Sequence, residues 1–322
     1  APPFSITPKA LNLAVEIMQL VTRVEKGYNG DVMLRKKNRI KTITGTLAIE
    51  GNTLGIEKVT ALLDGKKVMG SKQEIQEVYA AINAYKHLND FDPYKIEDLL
   101  KAHSLMMEGL IKDAGRFRSG NVGVKGGGEV VHIAPPPLRV HGLITDLIEW
   151  LRTTDLNPLI ASSIFHYEFE FIHPFSDGNG RTGRLWQTLI LSRYNPSFAY
   201  FPIESIIKEK QQAYYDALAI SDEQADSTVF IEFMLECIFE AVSSVKSSVK
   251  SSVNTDEIIL QYLANNPKAT AAQIADFLNI TVRAVEKQIA KLKAEGKLVR
   301  TGSARKGEWE IIDYDADKNG LK

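Results

Sequence analysis

The twelve residues His173-Pro174-Phe175-Ser176-Asp177-Gly178-Asn179-Gly180-Arg181-Thr182-Gly183-Arg184 constrain the fold more than any other stretch of the chain. Phe165, Phe169 and Ile172 recur at helical spacing just before them, and Pro174 stops that helix. Leu185, Leu189 and Ile190 repeat the pattern just after them, so helix resumes near Arg181. A tight loop between two helices follows, and helical periodicity dominates the rest of the chain.

Ser5-Ile6-Thr7-Pro8 opens a first helix with a cap and an early proline, and Leu11, Val15, Met18 and Val21 continue it. Further helices are expected over 35–49, 71–89, from Tyr94 through Met106, and over 143–151, 158–172, 181–193, 203–218 and 227–249. From Gly109 to Pro137 the pattern breaks, with seven glycines and three consecutive prolines. Val122-Gly123-Val124 and Val130-Val131-His132-Ile133 flank Gly126-Gly127-Gly128 there, which predicts an exposed hairpin inserted in a helical body. The serine-rich run 244–254 reads as a fraying helix end or short linker. The expected domains are 1–92, 93–250 and 253–322, and the expected fold class is mainly α with one hairpin and a small terminal module.

The central loop carries the chemistry. Gly178-Asn179-Gly180 lets backbone amides turn inward as an anion nest needs, and the next helix aims its unpaired N–H groups at the same place. Arg181 and Arg184 share one face of the first turn, so the site suits more than one phosphate. Asp177 adds a hard oxygen ligand of the kind that holds Mg2+ beside phosphates. His173 titrates near neutrality and is placed to take a proton from an attacking hydroxyl. Together these are the parts of a phosphoryl or nucleotidyl transfer site.

The run resembles the signature of the Fic domain family, His-x-Phe-x-Asp/Glu-Gly-Asn-Gly-Arg-x-x-Arg, at every fixed position. The resemblance implies an all-helical core with one hairpin, ATP and Mg2+ as cofactors, and transfer of AMP onto a Tyr, Thr or Ser hydroxyl of a target protein. It implies that His173 is the general base and Asp177 the metal ligand. Asn179 with the amides of Gly178 and Gly180 would bind the α- and β-phosphates. Arg181 would support the phosphates and Arg184 would hold the γ-phosphate, with Thr182 and Gly183 completing the nucleotide loop. Thr46-Leu47-Ala48-Ile49-Glu50-Gly51-Asn52 resembles the family's inhibitory motif, which implies that Glu50 pairs with Arg184 and restrains the enzyme. Tyr214 and Tyr215 resemble the tyrosine pair near the adenosine pocket, where core packing of at least one is expected. Val122 and Val124 are the edge residues expected to dock the target, and His166 with Glu170 reads as a structural pair. AMP removal by the same site, and a nucleotide-sensing DNA-binding regulator, are the alternatives.

Residues 253–322 read as a winged helix-turn-helix. A short helix holds Ile258 to Leu263, Thr270 and Gln273 form a capping box for a second, and Thr281 caps a third that Gly296 ends. Two strands follow at 297–300 and 309–312. Between Thr281 and Lys306 eight Lys/Arg (Arg283, Lys287, Lys291, Lys293, Lys297, Arg300, Arg305, Lys306) face two Glu, a stripe that suits DNA phosphates. A homodimer would suit a palindromic site.

Composition adds exclusions. At 322 residues the chain suits about two domains, and its formal net charge of -1 gives no overall attraction for polyanions. A single cysteine, Cys237, rules out an internal disulfide framework. No run is long and apolar enough for a membrane span. The chain lacks both an initial Met and a basic-then-apolar leader, so a trimmed start and a cytoplasmic setting are expected.

Overall fold

The computed structural model describes residues 3–28, 32–126, 129–278, 280–302 and 307–312. The sequence readings at Gly127, Gly128, Asn279, Arg305 and Lys306, and at the side chain of Val124, fall outside what is described. The chain divides into two compact units, Ala1–Lys246 and Ser247–Lys322.

In the larger unit the helices run α1 (Pro8–Tyr28), α2 (Val32–Ile49), α3 (Ile56–Leu63), α4 (Lys72–Lys86) and α5 (Ile96–Met106). The hairpin of β1 (Gly123–Gly126) and β2 (Glu129–Ile133) follows. Then come α6 (Pro137–Thr153), α7 (Pro158–Ile172), α8 (Asn179–Tyr194), α9 (Ile203–Glu209), α10 (Gln211–Gln224) and the start of α11 (Thr228–Asn265). The larger unit is a mainly helical core with one small antiparallel hairpin, and the smaller unit is helical with a second two-stranded antiparallel sheet. No described helix is long and apolar enough to cross a membrane.

Local signals account for most boundaries. Ser71 caps α4 and Glu74 returns the bond to the Ser71 backbone, a complete capping box. Pro158 opens α7 behind an Asn157 cap. The helix expected over 203–218 is two, α9 and α10, because the backbone departs from helical geometry at Lys210. The helix expected to fray over 244–254 instead continues unbroken to Asn265, and the expected short helix at Ile258 to Leu263 is its last part. Helix α3, only eight residues long, was not expected.

The core forms where α8 passes through the middle of the unit. From Arg181 to Ser192 every residue of α8 is buried. Phe165 and Phe169 of α7 and Phe91 join Trp186 and the other apolar residues of α8 in one core cluster, to which the buried face of α4 also belongs. A helix buried on all sides cannot be amphipathic, which is why its apolar pattern in the sequence is short. Helix α2 lies close against α9. A Cβ on Gly45 would meet the Glu204 carbonyl carbon at 2.7 Å, so only glycine allows this approach. Buried Glu204 accepts from Tyr85 and Thr188 hydroxyls at 2.8 and 3.1 Å, which satisfies part of a carboxyl that burial pushes above its ordinary pKa.

In the smaller unit the end of α11 packs with α12 (Ala271–Leu278), α13 (Val282–Ala294), β3 (Leu298–Thr301) and β4 (Glu308–Ile311). Thr270 and Gln273 make the expected capping box, and Thr281 caps α13. Strands β3 and β4 pair antiparallel, Leu298 opposite Ile311.

Candidate active site

The site begins where α7 stops. His173 is the C-cap of α7 with φ 50 and ψ 61, a left-handed conformation that a non-glycine residue adopts only when its surroundings hold it. Arg118 does the holding. Its guanidinium is buried and donates to the carbonyls of His173 (2.7 Å), Gly120 (3.0 Å) and Ile172 (3.3 Å), and also to Pro135. One side chain thus ties the end of α7 to both feet of the hairpin. The His173 ring lies with Nδ1 3.3 Å from the Glu170 carbonyl, so donating there leaves Nε2 as the basic nitrogen.

The loop is held from below by His103 of α5. Its Nδ1 accepts from the Gly115 amide at 2.9 Å, so its Nε2 carries the proton and donates to the Asp177 carbonyl at 2.9 Å. Its ring stacks on Phe175 with centroids 3.6 Å apart. Burial drives His103 down to about 4, and the neutral ring is the form this pair of bonds requires. Asn179 clamps the loop from within, accepting from the Phe175 amide and donating to its carbonyl, both at 2.9 Å. Its side chain therefore shapes the loop, and the amides are what it leaves for a ligand. Gly178 has φ 81, and a Cβ there would strike Met107 Sδ at 2.4 Å.

Helix α8 makes its first bond from Thr182 N to Gly178 O at 3.0 Å. The amides of Asn179, Gly180 and Arg181 accordingly have no acceptor within the helix. Asp177 Oδ1 accepts from the Gly178 amide at 2.6 Å and lies 3.4 Å from Arg181 Nη2, while its side chain is 59% exposed. Arg181 is buried, and its Nε has no partner. A buried guanidinium with an unmet donor beside three helix-terminal amides is a cradle for an anion. Thr182 is buried with an unpartnered hydroxyl, and Gly183 packs against Phe169 and Glu170.

Arg184 lies one turn further on, 2% exposed. It donates through Nε to Thr46 Oγ1 (2.9 Å) and through Nη2 to the Thr46 carbonyl (3.1 Å) and Glu50 Oε1 (2.6 Å). Thr46 is inside α2 and Glu50 directly follows its last residue, and both side chains face Arg184. Gly51 at φ 90 and Asn52 complete that end, Asn52 donating to Glu77 at 2.7 Å and to the Glu74 carbonyl at 3.1 Å. Burial alone would raise Glu50, but the Arg184 guanidinium, with Arg181 and His173 behind it, holds the carboxyl below its ordinary value. Arg184 is in turn raised despite its burial. A Cβ on Gly180 would lie 2.5 Å from Glu50 Oε1 and 2.9 Å from Arg184 Nη1, so the carboxylate occupies the space above the first turn of α8.

The remaining expected residues divide. Tyr214 is 2% exposed and its hydroxyl meets His166 Nε2 at 3.1 Å, a core position. Tyr215 is 44% exposed, and Gln211 Nε2 bonds both its hydroxyl (3.0 Å) and the Ile49 carbonyl at the end of α2 (2.8 Å). Val122 precedes β1 and accepts from the Ala134 amide at 3.4 Å, while Val124 pairs with His132 next to a bulge. Arg118, His103 and Gln211 were not singled out from the sequence. Each acts on main-chain carbonyls or amides far away in the chain, which no local spacing records.

Comparison with known proteins fits this geometry. The Fic/DOC family profile matches residues 93–191, and an HTH domain profile matches 256–307. A solved Fic family protein from Desulfovibrio desulfuricans G20 is 41% identical, covers 97% of this chain and 98% of its own, and superposes with a TM-score of 0.76. The chain belongs to the Fic family. Fic-1 of C. elegans (residues 134–508) shares the fold at a TM-score of 0.63 and 23% identity over 76% of this chain and 73% of that one. The protein adenylyltransferase Fic of Culex quinquefasciatus is 30% identical over 63% of this chain. The chain spans 40% of the length of that Fic protein.

Three of the expected basic residues of the helix-turn-helix module have side-chain partners. Lys291 bonds Asp256 at 2.7 Å, Lys297 bonds Glu295 at 2.8 Å, and Arg300 stacks 4.9 Å over Trp309. Arg283, Lys287 and Lys293 are exposed, and Arg305 and Lys306 lie outside the described residues.

Proposed function

We propose that this chain transfers AMP from ATP to the hydroxyl of a Tyr, Thr or Ser side chain on a target protein, and that Glu50 restrains the transfer. The observation that carries the reading is the Glu50–Arg184 contact at 2.6 Å, set directly over the amide cradle of α8. A carboxylate there and the γ-phosphate of a triphosphate compete for one guanidinium. With Glu50 withdrawn, Arg184 clamps the γ-phosphate, Arg181 and the amides of Asn179 to Arg181 hold the phosphates nearer the loop, and Tyr215 offers an exposed ring toward the nucleoside. His173 Nε2 takes the proton of the target hydroxyl as its oxygen attacks the α-phosphorus, and pyrophosphate leaves. The hairpin presents the target segment, with Val122 and Val124 at its edge.

Asp177 fits a Mg2+ ligand, because it is an exposed hard oxygen beside the anion cradle. Among the described residues no group of three or more His, Cys, Asp or Glu makes a ready metal cage. One carboxylate plus substrate phosphates is the usual way such an ion is held. When bound, Mg2+ neutralises charge on the phosphates. The test is a transfer assay with ATP labelled at the α- or at the γ-phosphate, on the E50G variant. Label retained on protein from the α-position supports adenylyl transfer, and label from the γ-position contradicts it.

A second activity, contact with DNA through 281–306, is supported by the helix-turn-helix match and by exposed Arg283, Lys287 and Lys293.

A further inference from the structure

One face of α2 is held along its length by α9 and the start of α10. The Lys41 carbonyl accepts from the Ser205 hydroxyl at 3.0 Å, and a Cβ at Gly45 would meet the Glu204 main chain at 2.7 Å. The Ile49 carbonyl accepts from Gln211 Nε2 at 2.8 Å. Residues 41, 45 and 49 stand at helical spacing, so they form one row. Thr46 and Glu50 directly follow members of that row, and both bond Arg184. The row ends on Ile49, the last residue of α2. A continuing helix would turn the Thr53 amide to the Ile49 carbonyl. Here that amide donates to Glu74 Oε1 at 2.9 Å, and the Asn52 amide donates to the Leu47 carbonyl at 3.1 Å. Gln211 supplies the donor that the helix end lacks.

The break at Lys210 is what puts Gln211 there, as the first residue of α10. Lys208, near the end of α9, donates to Gln211 Oε1 at 2.6 Å. An ammonium only donates, so it fixes which end of the amide is oxygen. Nε2 is then left to donate to the Ile49 carbonyl and to the Tyr215 hydroxyl at 3.0 Å. The Ile49 carbonyl and the Glu50 N–H belong to one planar peptide unit. That unit is held on both sides, by Gln211 at its oxygen and by the Leu47 carbonyl, 3.1 Å from its nitrogen. We propose that Gln211 is a positioning residue for the brake: it clasps the peptide that leads into Glu50 and so keeps the carboxylate on Arg184. The proposal rests on the reading of Glu50 as a brake. Without the clasp, the carboxylate should leave Arg184 more often, by about the 2–10-fold that one hydrogen bond carries.

The test uses Q211A and Q211E, each in the wild-type and the E50G backgrounds. Q211E keeps the side-chain length and the contact with Lys208 but has no N–H for Ile49. In the nucleotide-free protein, hydrogen exchange at the amides of Glu50, Gly51 and Asn52 should quicken by about 2–10-fold in both variants, with the amides of α4 and α7 unchanged. AMP incorporation at saturating ATP should rise over wild type by a similar factor and stay below that of E50G. Neither substitution should add to the rate of E50G, since no carboxylate is left to hold. A merely structural residue would lower the rate in both backgrounds. That result, unchanged exchange at residues 50–52, or an equal gain on top of E50G overturns the proposal. If E50G is itself no faster than wild type, the brake reading falls and the proposal with it. The exchange measurement then reports separately whether Gln211 holds the end of α2.

Discussion

At the scale of single residues, the loop keeps two kinds of group: those the proposed chemistry uses and those that hold the backbone. His173 Nε2, the Arg181 guanidinium and the amides of the first turn are the first kind. Removing His173 should therefore separate chemistry from binding. H173A is expected to lose transfer by at least about 10²–10⁴ while keeping its affinity for ATP in calorimetry, since a general base contributes roughly that factor. Transfer at the wild-type rate would remove His173 from the chemistry. Arg118 is the second kind. R118K keeps the charge but loses the planar fork that reaches the carbonyls of His173, Gly120 and Ile172. It should lower kcat and leave KM for ATP unchanged, because none of those bonds touches the anion cradle. His103 gives a pH signature. Its folded value of about 4 lies below the ordinary 6.5, so the stability it protects is present above pH 6.5 and is lost as pH falls toward 4. H103Q should flatten that part of the acid unfolding curve, and an unchanged curve would contradict the neutral-ring assignment.

At the scale of elements, α2 carries the Thr46 and Glu50 contacts to Arg184 on which the proposed brake rests, and its seat on α9 is set by Gly45. G45A brings a Cβ within 2.7 Å of main chain that has no freedom to yield. Overpacking of this sort costs about 1–3 kcal/mol. The variant should unfold at lower temperature and show faster AMP incorporation than wild type, because Thr46 and Glu50 move with α2. A lower Tm with no gain in rate would mean that the brake does not depend on this contact. The α7–loop–α8 unit was legible in the sequence because its periodicity, its proline and its glycines all point to the same local structure. The break between α9 and α10 was not, since helix-tolerant residues run on through Lys210 with no Gly or Pro to mark it. The continuation of α11 through the serine-rich run was also missed, because Ser, Val and Lys are tolerated in helix and the valines are helically spaced. Glu170 and His166 were read as a pair on one helix face. Spacing shows a shared face, but not that α8, α10 and the end of α2 enclose it. Tyr214 and Tyr215 are adjacent in sequence and opposite in burial, which the helical period alone implies for neighbours on α10.

At the scale of the whole molecule, a helical Fic core is joined in one chain to a helix-turn-helix module. Of the module's basic residues, Lys291 and Lys297 pair with Asp256 and Glu295, and Arg300 keeps its charge over the Trp309 ring. Any DNA contact should then be weak and should fall by less with salt than eight cations imply. A filter-binding series over salt concentration, with R283A and K287A, checks this. Strong binding unaffected by either substitution would place the contact elsewhere. The central claim is that Glu50 and Arg184 form a brake on AMP transfer, and it is tested by intact-protein mass spectrometry of wild type, E50G, R184A and E50G/R184A after incubation with Mg2+ and ATP. The account predicts an AMP adduct on E50G that forms faster than on wild type, with R184A weak and the double variant no better than R184A. An E50G protein no faster than wild type, or a double variant as active as E50G, would contradict it.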